Sequence, residues 1–326
     1  MPLSSAPVHT SRDHDRFGVD GALVWHALRA TRDAAIAAST WSGRGDPKAA
    51  DEAATSAMRA ILSQVAASGT VVTGEGAKDD APMLADGEQL GAGGPEYDIA
   101  VDPLECTDLC ACGLAGAMAT IALAPRGSLW TPGPAFYMDK LVLPPAARDA
   151  ATLDDPPAAI ADKVAKALGK PLSQLRVSVL DKPRHGELIA HLRAEGVAVS
   201  TPTAGDVGGA LSVLLADGDA DLLLGVGGTP EGVLTACAVR ALGGGMYGRL
   251  APQRDDERQA LADAGVDVDR VLTLDDLAAA DATFIATGIT GGLLAAPCRH
   301  DGQVTTESVV IAAGTVHRIS QTTTQE

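Results

Sequence analysis

The sequence predicts an α/β protein built in layers, and three observations point there. From residue 177 onward, short apolar runs at 177–180, 197–200, 221–226 and 283–287 alternate with helical stretches, the pattern of strands buried between helices. Ahead of them, residues 20–65 carry two apolar patterns of helical period. Between these halves lie two short strands, each running directly into acidic residues.

The first helix is expected over 20–40, with Val24, Leu28, Thr31, Ala35 and Ala38 on one face, and Gly43-Arg-Gly-Asp-Pro47 breaks it. A second follows from about Lys48, with Ala54, Met58, Ile61, Leu62 and Val65 buried and Asp51 in its first turn, where the helix dipole favours a carboxylate. Residues 69–73 read as a strand that enters an acidic, glycine-flanked segment containing Glu75 and Asp79. Further β structure is expected at 117–123 and across 128–143. Residues 144–156 read as a loop, and a helix over 157–168 stops at Gly169 with Pro171 beyond it. The end of the chain, 308–312 and 316–320 around Gly314, reads as a hairpin. Residues 1–19 read as a mobile tail. A boundary at 170–176 separates domains of 20–172 and 173–326.

A chain of 326 residues with a formal charge of −17 is poorly suited to nucleic acid or an anionic membrane. No stretch of 18 apolar residues occurs, so no spanning helix is expected. The N-terminus lacks a signal-peptide pattern, and five cysteines are an odd number. Free thiols in a reducing cytoplasm are the expectation.

Chemistry concentrates in residues 97–113. Apolar residues lead to Asp102, Pro103 is expected to end the ladder, and Glu105 follows. Thr107 or Asp108 then caps a short helix. Two carboxylates suit hard divalent cations, and the helix start suits an anion. Two later loops add charge after strands: Lys182-Pro-Arg-His185 offers cations, and Gly225-Val-Gly-Gly-Thr-Pro-Glu-Gly232 presents Glu231. The latter does not match the dinucleotide spacing, and no Walker motif is present.

Taken in order, these segments resemble the bacterial class II fructose-1,6-bisphosphatases, members of the lithium-sensitive, metal-dependent phosphatase superfamily that includes the inositol monophosphatases. The resemblance spans about 22–322. It rests on Gly43-Arg-Gly-Asp with Asp51, Gly74-Glu-Gly, Asp98-Ile-Ala-Val-Asp-Pro-Leu-Glu, Tyr137-Met-Asp-Lys-Leu, Lys182-Pro-Arg-His, Pro230-Glu-Gly-Val and Ala286-Thr-Gly-Ile-Thr. It implies an α-β-α-β-α sandwich of two subdomains and a homodimer or homotetramer. Mg²⁺ or Mn²⁺ ligands would be Asp51, Glu75, Asp102, Glu105 and Glu231. By the same resemblance Thr107 and Asp79 would orient and deprotonate the attacking water. Glu105, Cys106, Thr107, Tyr137, Lys182, Arg184, Asp206 and Gly228 would hold a sugar phosphate.

The chain departs from that pattern in places. Cys106 stands where the family has glycine, Ala77 where it has an acid, Ala204 replaces an aspartate, and Gly243-Gly-Gly245 replaces Asp-Gly-Asp near the sugar. Cys106, Cys110 and Cys112 match no zinc spacing. They read first as packing residues, or else as a thiol of lowered pKa at a helix start. Fructose 1,6-bisphosphate is the default substrate. The alternatives are sedoheptulose 1,7-bisphosphate, an intermediate of a nucleoside or cyclitol pathway, or phosphosugar binding without catalysis.

Overall fold

The computed structural model describes residues 19–74 and 84–324. Helix α1 (Gly21–Ser39) starts where the Asp20 carboxylate accepts from the Ala22 N–H at 2.7 Å. Helix α2 (Pro47–Leu62) opens with proline, and Asp46 caps it by accepting from the Ala49 N–H at 3.0 Å. Asp51 is therefore not in the first turn, as the sequence reading had it, but one turn further along.

Strands β1 (Ser68–Thr73), β2 (Gln89–Leu90) and β3 (Glu96–Glu105) follow, then the short helix α3 (Thr107–Cys112) and β4 (Met118–Pro125). Of the β structure expected across 128–143, only β5 (Tyr137–Leu143) forms, with a single bridge from Leu129 to Ala278 ahead of it. Next come α4 (Pro157–Ala167), β6 (Arg176–Ser178), α5 (Gly186–Ala194), β7 (Ala198–Ser200) and α6 (Asp206–Leu214). The second half continues with β8 (Leu222–Gly228), α7 (Thr229–Leu242), β9 (Gly245–Leu250), α8 (Asp255–Asp263), β10 (Val271–Thr273) and α9 (Leu274–Leu277). It closes with β11 (Thr283–Gly288), β12 (Cys298–His300) and the hairpin of β13 (Gln303–Ala312) and β14 (Thr315–Thr324).

These strands make two sheets. The eight-stranded one runs β12-β13-β11-β4-β3-β1-β2 with β14 on β13, and the six-stranded one runs β10-β9-β5-β8-β6-β7. The chain changes sheets between β4 and β5 and returns between β10 and β11. The reason is that β5 inserts between β8 and β9, where Met138, Leu141 and Val142 are buried on both faces.

The layers follow from the two-residue period of the strands. On β3 and β4, Ile99, Val101, Ile121 and Leu123 turn toward α1 and α2, with Leu28, Met58 and Leu62. Their neighbours Ala100, Ala122 and Ala124 turn the other way, onto α6 and α7. That central layer also receives Met138, Val142, Leu223 and Met246 from the second sheet. Leu141, Leu143, Leu222 and Leu224 point outward onto Ile160, Val164, Ile189 and Leu192 of α4 and α5. The order is α-β-α-β-α. Small residues on the inner face of the first sheet let α7 lie close, consistent with a chain whose sequence is only 3% aromatic.

One acid inside this core is structural. Asp98 is fully buried on β3 and accepts from Arg126 Nη1 at 2.6 Å and from the N–H groups of Ser128 and Leu129 at 2.9 and 3.1 Å, fixing the chain as it leaves β4. Asp98→Ala strands those donors and is expected to lower the unfolding free energy by about 3 kcal/mol. A urea midpoint shift measures this, and a loss below about 1 kcal/mol would mean the turn holds without it.

Candidate active site

Asp102 and Glu105 are three residues apart, and in a regular strand residues three apart point to opposite faces. They do not here. Asp102 pairs with Thr120 and Glu105 with Met118, so three steps on β3 face two on β4. Pro103, which has no N–H for the ladder, sits within this bulge. It does not end the strand, as the sequence suggested, but inserts one residue and turns both carboxylates to the same side. The Asp102 carboxylate closes the turn by accepting from the Leu104 N–H at 3.0 Å. Glu231, in the first turn of α7, completes the group: one carboxylate oxygen from each of Asp102, Glu105 and Glu231 lies within 4.8 Å of the others. It is the metal-capable cluster among the described residues.

The electrostatics match. Glu105 is buried, and its carboxyl is pushed well above the usual range, first by burial and then by the charges of Asp102, Asp206 and Glu231. Such a convergence of acids is resolved by a cation. An all-oxygen donor set fits a hard divalent ion. The residues present therefore fit a metal.

A cleft of about 850 Å³ opens over the cluster. Among the residues singled out from sequence, Asp51, Asp102, Glu105, Cys106, Thr107, Lys182, Arg184, Asp206, Gly228 and Glu231 line it. Asp51 is brought there by the Gly43-Arg-Gly-Asp loop, whose Gly43 and Gly45 N–H groups bond the Cys110 and Ala111 carbonyls at 2.9 Å, clasping α2 to α3. Tyr137 stands behind the wall, with the Arg184 guanidinium 5.3 Å over its ring. Its backbone N–H, with that of Phe136, is held by the buried Glu257 carboxylate at 3.0 and 2.7 Å. Glu75, Asp79 and Ala77 lie outside the described residues.

The glycine-rich turn expected to present Glu231 has a different use for each glycine. A Cβ on Gly225 would lie 3.0 Å from His185 Nε2, one on Gly227 2.0 Å from an Asp206 oxygen, and one on Gly228 1.9 Å from a Glu231 oxygen. The turn is bare because these side chains occupy the space. His185 locks the cation loop to β8: Nδ1 donates to the Leu180 carbonyl at 2.7 Å, and Nε2 accepts from the Val226 N–H at 2.8 Å. Burial lowers its pKa, consistent with the neutral ring this pairing requires.

Three further expectations change. The cap of α3 is Cys106, left-handed at φ 68°, not Thr107 or Asp108; the Thr107 hydroxyl instead donates to the Leu104 carbonyl at 3.0 Å. For Cys106 the alternative to packing is a thiol of pKa lowered by the helix start, and the direction is the reverse. Burial, followed by the charges of Glu105, Asp102 and Asp206, pushes it up. Gly243–Gly245 caps the far end of α7, about 20 Å of helix from Glu231, and does not line the cleft. Sequence reasoning missed Lys140, which is buried beneath the cleft against Asp206. In the sequence it stood inside the Tyr137-Met-Asp-Lys-Leu match, beside Asp139, with no role given to it.

A layered α/β fold that gathers carboxylates beside a helix start, with cations across the cleft, is that of a metal-dependent phosphoric monoester hydrolase. The family model of the bacterial fructose-1,6-bisphosphatase, glpX-encoded, matches residues 21–323, and the chain belongs to that family. It is 41% identical over 309 residues to the class 2 fructose-1,6-bisphosphatase 1 of Escherichia coli strain K12, covering 89% of this chain and 92% of that one. The class 2 fructose-1,6-bisphosphatase of Shigella flexneri is similar to the same extent.

Gly228→Ala would drive a methyl group into Glu231. Phosphate release is expected to fall by about a hundredfold while the far-ultraviolet circular dichroism stays unchanged. Undiminished turnover would mean that Glu231 need not hold this position.

Proposed function

We propose that the chain hydrolyses fructose 1,6-bisphosphate at its 1-phosphate, releasing fructose 6-phosphate and inorganic phosphate, a step of gluconeogenesis. The observation that carries this reading is the bulge that turns Asp102 and Glu105 to one side, beside Glu231. These three, with Asp51 and, from the sequence, Glu75, would hold Mg²⁺ or Mn²⁺. A divalent ion bound there supplies Lewis-acid polarisation of the phosphoryl group and acidifies water.

The chain's own groups do the rest. Backbone N–H groups at the start of α3 bind the phosphate oxygens. The Thr107 hydroxyl, with its proton given to the Leu104 carbonyl, keeps lone pairs to accept from the attacking water and so orient it. Asp79 is the proposed acceptor of the water's proton. Across the cleft, Arg184 is anchored by the Val226 carbonyl at 2.8 and 3.2 Å, and with Lys182 it faces the second phosphate. Two cations, of which Arg184 is anchored, suit a bisphosphate better than a monoester. Asp206 and Gly228 form the wall beside the sugar. Cys106 narrows the same wall, since a Cβ on Gly205 would lie 3.0 Å from its sulfur.

By the same resemblance the enzyme is proposed to act as a homodimer or homotetramer in the cytoplasm. No described helix is long and apolar enough to cross a membrane.

Phosphate release across sugar mono- and bisphosphates with Mn²⁺ or Mg²⁺ tests the proposal. Fructose 1,6-bisphosphate is expected to turn over fastest, and Asp102→Ala to reduce the rate by at least about a thousandfold. Faster turnover of sedoheptulose 1,7-bisphosphate would move the substrate and leave the chemistry. Metal-independent release, or full activity of Asp102→Ala, would refute the chemistry.

A further inference from the structure

Lys140 is the most thoroughly buried cation of the described chain, 1% exposed in the middle of β5. It belongs to no group assigned above. Its cross-strand neighbours are Gly225 on β8 and Gly248 on β9, so no side chain competes for the space beside its stem. The stem runs beneath α7, where a Cβ on Gly232 would sit 3.5 Å from its Cδ. The ammonium has two partners: the Asp206 carboxylate, and the Gly228 carbonyl at 2.7 Å. A lysine persists at such depth only when its charge is matched.

Asp206 is the match, and it is an acid that stands close to the cation cluster without joining it. It lines the same cleft as Asp102, Glu105 and Glu231. Yet its oxygens are not among those that converge within 4.8 Å. A carboxylate released at that spot would compete with the substrate for the cation.

We infer that Lys140 is a positioning residue that ties Asp206 down, limiting the cation site to the other acids and keeping Asp206 for the substrate side of the cleft. This rests on the metal reading of the cluster, not on the identity of the sugar. Lys140 also donates to the carbonyl of Gly228, the residue before α7.

The signature is opposite in sign to that of a merely structural lysine. Losing a structural residue loosens the site and weakens cation binding. Losing a tether that neutralises Asp206 releases a negative charge toward the cation and strengthens it. Calorimetric titration of the metal-stripped full chain with Mn²⁺ reads the difference without any substrate. Lys140→Met is expected to bind Mn²⁺ roughly tenfold more tightly, and Asp206→Asn, which leaves the lysine unmatched, roughly tenfold more weakly. The double variant is expected within about twofold of the unaltered protein, because the two charges cancel. Should Lys140→Met fail to fold, Asp206→Asn and the double variant carry the same test. Weaker or unchanged binding by Lys140→Met overturns the inference, as does a double variant that does not restore the unaltered affinity. An unaltered protein that binds no Mn²⁺ overturns the metal reading and this inference together. Normal binding without fructose 1,6-bisphosphate turnover sinks only the substrate assignment.

Discussion

Acidic side chains repel, and the active end of this molecule is arranged around bringing them together anyway. Asp102, Glu105 and Glu231 converge, with Asp206 in their field, and the resulting strain appears in Glu105, whose carboxyl burial and neighbouring charges push well up. Like charges in a partly dry site do not collect by accident of packing, since each raises the cost of the next. Rigid backbone must hold them, and opposite charge must be at hand. The bulge at Pro103 supplies the first for two of the acids. The first turn of α7 supplies it for the third. Lys140 supplies opposite charge from below, and a divalent ion is suited to supply it from above.

The layered architecture makes this convergence possible. The first sheet carries Asp102 and Glu105 on β3, while β8 of the second sheet leads into the helix that carries Glu231. Because α6 and α7 lie between the sheets, a residue in the first turn of α7 can face the end of β3. Alanines on the inner face of the first sheet let α7 approach closely. The glycines of β8 then leave room for Asp206 and Glu231, whose oxygens a side chain at 227 or 228 would displace. Packing and chemistry are therefore set by the same positions.

Much of this was legible in the sequence. Helical periodicity found α1 and α4 to within a residue and the start of α2, though Val65, read on its face, lies beyond its end at Leu62; apolar runs found β6, β7, β8 and β11. The acids after strands pointed to a cation, and the order of motifs pointed to the family. What stayed hidden depended on register and on distance along the chain. One extra residue at a bulge decides whether Asp102 and Glu105 share a face, and alternation alone argues the opposite. Asp98 and Asp102 lie on one strand with the same chemistry, yet Asp98 is spent on Arg126 and two backbone donors. The partners of Lys140 lie 66 and 88 residues away. The left-handed Cys106 could not be read from its residue type, because cysteine seldom takes that conformation.

The central claim is that Asp102, Glu105 and Glu231 are together a metal centre. Anomalous diffraction at the manganese edge, from crystals grown with Mn²⁺, tests it most directly. The expected result is a manganese peak with an oxygen of each of the three carboxylates in its coordination shell. A protein that binds Mn²⁺ elsewhere, with these three acids turned to other partners, would contradict it.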